Sequence, residues 1–385
     1  MKQFMCIMLC MAFFVSLTAT AFAEEMPFEI KAKSVVLMDG TTGQVLLKQN
    51  ENEKLYPASV TKIMSLLLVT EAIDSNKIRL TDVVTTTPVA ASKGGSQIWL
   101  KEGEQMTVDE LLKATAVYSA NDACTALGEY VAGSDEGFVQ MMNERAAELG
   151  MKNTHFDNCT GLDDESTTHL TTAYDIALMS RELMKHSLIR EYTTIWMDSL
   201  RNGKTELVNT NKLIRFYDGA TGLKTGTTSK AGCCISATAT RSGTDLIAVV
   251  MGAANSTDRF ETAKSLLNWG FANYFTVTPS VDKKLITDVN VLSGEERMIK
   301  PQIVQPEPVL VKKGRENDIQ QKIELTTAVE APVESNQTLG RVQFLLDGKV
   351  VGECRLTSPH YVERLTLQTV FVRMLEALCK KSVLK

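Results

Sequence analysis

A serine, a lysine three residues on, a second serine with an asparagine, and a lysine-threonine-glycine triplet could together run an acyl transfer. They occur here in that order as Ser59-Val60-Thr61-Lys62, Ser119-Ala120-Asn121 and Lys224-Thr225-Gly226. Serine is a weak nucleophile until a neighbouring base removes its proton. On a helix, residues three apart share a face, so Lys62 can reach the Ser59 hydroxyl. Burial disfavours an ammonium and lowers a lysine pKa, which makes the neutral amine available as that base. Taken singly the pieces are ordinary. The same serine-lysine spacing recurs at Ser280/Lys283 and Ser382/Lys385, where a solvated turn is sufficient explanation.

The elements around each piece set Ser59 apart. Tyr56-Pro57-Ala58 leads into Val60, Ile63, Met64, Leu66, Leu67, Leu68 and Val69, apolar nearly all round. That pattern predicts a buried helix, with proline and serine suited to its first turn. A cap alone would not place a lysine one turn into such a helix. Ser119 lies between the apolar runs Leu111–Val117 and Ala123–Leu127, which reads as two short helices meeting at a polar break. Lys224-Thr225-Gly226 lies just ahead of a hairpin, Cys234–Thr240 and Leu246–Val250 around Ser242-Gly243. Gly226 lets a substrate backbone approach closely.

On these residues the chain resembles the low-molecular-mass penicillin-binding proteins that are D-alanyl-D-alanine carboxypeptidases, whose three-part signature it carries with Ala120 in the middle motif. Gly94-Gly95-Ser96-Gln97, Asn153-Thr154-His155-Phe156 and Thr171-Thr172-Ala173-Tyr174-Asp175 resemble further blocks of that family. The likeness is dense over residues 30 to 276. It implies an α/β (α+β) fold: an antiparallel sheet flanked by helices with a helical lobe, and the active site between them. It also implies roles. Ser59 is the nucleophile, Lys62 its base, and Ser119 a proton relay to the leaving amine. Asn121 holds Lys62 and the substrate, and the backbone N–H groups of Ser59 and Thr227 receive the oxyanion. Lys224, Thr225 and Arg259 face the substrate carboxylate. The implied partners are a peptidoglycan stem peptide ending in D-Ala-D-Ala and β-lactams as inhibitors. No cofactor is implied. The chain departs from some relatives at Thr227, where they carry histidine.

Two other readings share part of the pattern. A class A β-lactamase needs a glutamate that activates water. Glu165 sits in the corresponding loop, but without the E-x-x-L-N setting of those enzymes. A non-catalytic peptidoglycan-binding protein would have lost a catalytic residue, and none is lost here.

Length and composition fit this reading. The chain has 385 residues, net charge −5 and 44% hydrophobic residues, enough for two or three compact units. Mild acidity argues against a nucleic-acid partner. Residues 1–23 read as an export signal, with Lys2, an apolar run and Ala21-Phe22-Ala23 before Glu24. Cys124, Cys159, Cys233, Cys234, Cys354 and Cys379 remain after its removal, with no C-x-x-C among them, and read as buried thiols. His155, His169, His186 and His360 are scattered, and no metal site is expected.

The expected layout is a catalytic domain at 24–276, a small all-β domain at 277–358 and a terminal helix at 359–385. Short strand-like runs such as Val289–Leu292 and Arg341–Leu345, separated by Ser293-Gly294 and Asp347-Gly348, carry the second. In the third, Leu367, Val370, Phe371, Met374, Leu375 and Leu378 recur at helical steps, with Arg364, Arg373, Lys380, Lys381 and Lys385 around them. Such a helix can lie in a membrane interface, as the family's terminal anchors do. The expected location is therefore outside the cytoplasm.

Overall fold

The computed structural model describes residues 26–163 and 166–382. The expected export signal and Glu165 lie outside the described residues. The elements below belong to one compact unit, Lys31–Lys385.

The first hairpin is β1 (Ser34–Asp39) and β2 (Val45–Gln49). The apolar run after Ser59 becomes α1 (Lys62–Asp74), entered through a 3-10 turn at Ala58–Thr61. Of its thirteen residues, ten are buried. The stretch expected to be helical contains two short hairpins the pattern did not announce. One is β3 (Val83–Thr85) with β4 (Gln105–Thr107), enclosing α2 (Pro88–Ala91). Next come α3 (Val108–Lys113), α4 (Asn121–Ala132), α5 (Asp135–Glu148), α6 (Ala173–Leu183) and α7 (Ser187–Thr193). Helix starts are fixed by side chains: Thr107 and Glu110 form a reciprocal capping box on α3, while Ser134 and Thr172 cap α5 and α6. The second hairpin is β5 (Met197–Leu200) with β6 (Thr205–Val208), followed by α8 (Leu213–Phe216).

Then β7 (Ala220–Thr228), β8 (Gly232–Arg241) and β9 (Thr244–Ala253) run antiparallel into α9 (Ser256–Asn273). The sheet order is β2-β1-β9-β8-β7, so the first and last strands of the domain pair directly, Val36 opposite Val249. Alternate side chains serve two cores. Val36, Met38, Val249 and Met251 join the cluster around α1 and α6, while Leu37 and Leu246 meet α9 at Gly270. With both faces covered, β1 is buried at every position.

The β-rich part begins with β10 (Tyr274–Val277). It continues through β11 (Val289–Leu292), β12 (Met298–Ile299), β13 (Gln302–Ile303), β14 (Val309–Lys312), β15 (Gln320–Leu325), β16 (Ala328–Glu330), β17 (Thr338–Leu346) and β18 (Lys349–Thr357). β10 pairs with β14, and the Thr276 N–H donates to Thr244 Oγ1 at 2.8 Å, stitching this part to the sheet. A final helix, α10 (Leu367–Ser382), leaves Leu367, Val370, Phe371, Met374 and Leu375 exposed.

Candidate active site

The site forms where α1, the break before α4, the loop at 157–163 and the edge strand β7 converge. Lys62 is wholly buried, and its Nζ lies 3.0 Å from Ser59 Oγ, 2.6 Å from Asn121 Oδ1 and 2.8 Å from the Thr160 carbonyl. These contacts occupy all three positions of an ammonium. On a neutral amine, Asn121 Oδ1 and the Thr160 carbonyl take the two N–H groups, because both can only accept there. The lone pair is then left facing the Ser59 hydroxyl. Burial lowers the Lys62 pKa to about 8, so that neutral form is accessible near neutral pH.

The backbone around Ser59 and at Ser119 is strained. Ala58 has φ +49° and Ser119 φ +68°, left-handed values that a non-glycine residue holds only when packing enforces them. Ser119 ends a π-helical turn at Ala114–Tyr118, and α4 starts two residues later. Ser119 and Asn121 are both buried at this break, and it is Asn121 that meets Lys62.

Two glycines let the walls close in. A Cβ on Gly161 would lie 1.8 Å from the Ala58 carbonyl oxygen, so only bare backbone can bring the loop, and with it Thr160, against α1. A Cβ on Gly226 would lie 2.8 Å from the Ser59 nitrogen, which places β7 directly against the Ser59 turn. Lys224 is 1% exposed, although on an edge strand, and burial lowers its pKa strongly; Thr225 Oγ1 donates to Thr210 Oγ1 at 2.8 Å.

Arg259 is not a surface cation. Its guanidinium is buried over the Phe260 ring and donates to the Gly226 carbonyl, Thr227 Oγ1, the Cys234 carbonyl and Ser256 Oγ, while Nε has no partner among the described residues. No carboxylate neutralises it in these contacts, so its charge is available to an anion beside Thr227.

The sequence model of the D-alanyl-D-alanine carboxypeptidase family matches residues 20–255, and that of the penicillin-binding protein 5 C-terminal domain matches residues 274–364. The chain belongs to the D-alanyl-D-alanine carboxypeptidase family. D-alanyl-D-alanine carboxypeptidase DacF of Bacillus subtilis (strain 168) is 43% identical over 327 residues, 84% of each chain. The crystal structure of penicillin binding protein 5 from Haemophilus influenzae has 31% identity and a TM-score of 0.76, and the match covers 88% of this chain and 99% of that one. Penicillin-Binding Protein D2 from Listeria monocytogenes, solved with ampicillin bound, matches 64% of this chain and 100% of its own at 30% identity and a TM-score of 0.59. Family membership makes this chain a serine-type carboxypeptidase hydrolase.

Two contributors to the candidate site were not singled out by sequence. One is Thr160, acting through its carbonyl, which leaves no trace in residue type. The other is His169, among the scattered histidines. It is buried, its Nδ1 accepts the Asp157 N–H at 3.0 Å, and its Nε2 lies 2.8 Å from Thr61 Oγ1. Burial lowers its pKa to about 4, so it is neutral at pH 7 and ties Asp157 to the turn that carries Ser59. Cys124, Cys159, Cys233, Cys234 and Cys354 are free and buried, as expected; the Cys379 side chain lies outside the described residues.

Proposed function

We propose that this chain removes the terminal D-alanine from peptidoglycan stem pentapeptides through an acyl-enzyme on Ser59. The observation that carries the proposal is the buried Lys62 amine, held by Asn121 and Thr160 with Ser59 Oγ at 3.0 Å. Ser59 Oγ attacks the carbonyl between the two D-alanines as its proton passes to Lys62. The backbone N–H groups of Ser59 and Thr227 receive the oxyanion, an assignment supported by the contact of Gly226 with the Ser59 turn. Ser119 relays a proton to the leaving amine, and Lys224, Thr225 and Arg259 hold the terminal carboxylate. Water then attacks the acyl-enzyme and restores Ser59. A β-lactam acylates the same serine and leaves slowly.

Incubation with a fluorescent penicillin and with a D-Ala-D-Ala pentapeptide tests this. The expected result is a stable label and released D-alanine. Rapid penicillin turnover without D-alanine would point to a β-lactamase, and neither signal would point to a binder.

The same reading places the enzyme outside the cytoplasm after removal of residues 1–23, acting in peptidoglycan maturation and cell shape. It divides the chain into a catalytic domain at 24–276, a β-rich spacer at 277–358 and a membrane-surface anchor at 359–385. No helix among the described residues is long and apolar enough to cross a membrane. The exposed stripe on α10 supports surface binding. Each inserted apolar side chain contributes about 1.5–3 kcal/mol if fully buried, and each Lys or Arg near anionic lipid about 1 kcal/mol. Truncation after Thr366, which spares Val362 in the β-rich core and removes α10, is expected to leave an active enzyme that no longer sediments with anionic vesicles. Equal sedimentation of both forms, or unfolding of the short one, would make α10 part of the β-rich domain.

A further inference from the structure

Trp99 is 73% exposed and has φ +62°, a left-handed conformation that a bulky residue adopts only under constraint. The constraint is visible on both sides. The N–H groups of Ile98 and Leu100 donate to one carboxylate, Asp122, at 3.1 and 2.9 Å, and both neighbouring side chains are buried. The Ile98 carbonyl accepts from Arg201 Nη1 at 2.9 Å. A chain pinned at 98 and 100 turns the side chain of 99 outward. The energy stored in that turn maintains an exposed indole, which contributes nothing to the core.

The position ties this indole to the catalytic machinery. The loop begins at Gly94, whose carbonyl accepts from Asn121 Nδ2 at 2.7 Å, and the Ser96 carbonyl accepts the Asn121 N–H at 2.6 Å. Asn121 is also the Lys62 partner, and Asp122 follows it directly. One dipeptide therefore fixes both the base and the Trp99 turn.

Beside Trp99 is an open recess of about 560 Å³, also lined by Lys101, Glu102, Gly103, Glu104 and Arg201. That volume is in the range of small-ligand sites. Arg201 Nε and Glu104 Oε1 are paired at 2.8 Å. A neutralised ion pair offers donors and acceptors without a strong net field, which suits hydroxyl and amide groups better than a bare ion. A flat aromatic face above such a rim suits a ring with one apolar face. Sugar rings combine both properties.

We propose that Trp99 and the adjacent recess form a subsite for an N-acetylated amino sugar of the glycan strand that carries the stem peptide. The proposal rests on the carboxypeptidase reading, in which that sugar lies at the far end of the same substrate. An extended stem of five residues spans about 17 Å at most, which limits how far from Ser59 the sugar can sit.

The test compares D-alanine release from a free pentapeptide and from the same pentapeptide attached to its disaccharide. For Trp99→Ala, KM for the disaccharide substrate is expected to rise about tenfold, the scale of one well-packed aromatic contact. Its kcat, both constants for the free pentapeptide, and the penicillin acylation rate stay within twofold. Trp99→Phe restores part of the difference. Trp99→Gly, which suits the left-handed backbone, loses the sugar preference while keeping or raising Tm. Equal change on both substrates, no change on either, or unfolding of all three variants overturns the subsite. Absence of D-alanine release from both substrates with the wild-type enzyme would instead overturn the carboxypeptidase reading.

Discussion

Replacing Ser59 by alanine abolishes covalent penicillin labelling and lowers D-alanine release by about 10⁶-fold, the scale seen when a serine hydrolase loses its nucleophile. No second hydroxyl can take over without rebuilding the site. Ser119 is buried and makes no hydrogen bond to Lys62 among the described contacts, whose remaining partners, Asn121 and the Thr160 carbonyl, carry no hydroxyl at those atoms. The variant keeps its fold, because Ser59 Oγ contributes one of three polar contacts to Lys62 and the lysine retains the two strongest acceptors. Intact-mass analysis after penicillin treatment is the direct measurement. An adduct on Ser119 in the wild-type protein would reverse the assignment.

Lys62→Arg removes about 10²–10⁴-fold in acylation rate, the usual contribution of a general base. The charge is kept, but a guanidinium does not lose its proton in a protein, so there is no lone pair to face Ser59. Wild-type acylation carries the complementary signature. Below pH 8 Lys62 is mostly an ammonium and the reaction is slow; the rate rises with pH and levels off above a midpoint near 8. A flat profile from pH 6 to 9, or near-wild-type acylation by Lys62→Arg, would show that another group takes the proton. The same shift has a sign in stability. The folded pKa of about 8 is below the ordinary value of 10.5, so the unfolded state binds more protons between those values. This lysine's contribution therefore becomes more favourable as pH rises from 8 to 10.5.

Much of the candidate site was legible because it is written in side chains. Lys62 on an otherwise apolar helix, the polar break at Ser119–Asn121 and the glycine of the β7 triplet each contradict their surroundings. Such local contradictions mark function. The β8–β9 hairpin was legible for the opposite reason: its apolar runs and glycine turn agree with the fold. What could not be read was carried by backbone or by short polar pieces. The Thr160 carbonyl reaches Lys62 across 98 residues of sequence, and a carbonyl has no residue type. The β5–β6 hairpin spans only Met197–Leu200 and Thr205–Val208 and is half polar, too short for a period to register. Arg259 resembles a surface residue at a helix start until β7 and β8 are folded over it.

The bare backbone at Gly226 has a consequence for drug escape. Adding bulk to a binding wall is a simple way to exclude an inhibitor larger than the substrate. At this position the first atom added would strike the Ser59 nitrogen and the Pro57 carbonyl oxygen, each 2.8 Å away, displacing the nucleophile turn before it touched any antibiotic. Resistance by steric exclusion is closed there. Discrimination between a β-lactam and a cell-wall peptide has to be built farther out, at positions such as Thr227, whose side chain is exposed beside Arg259.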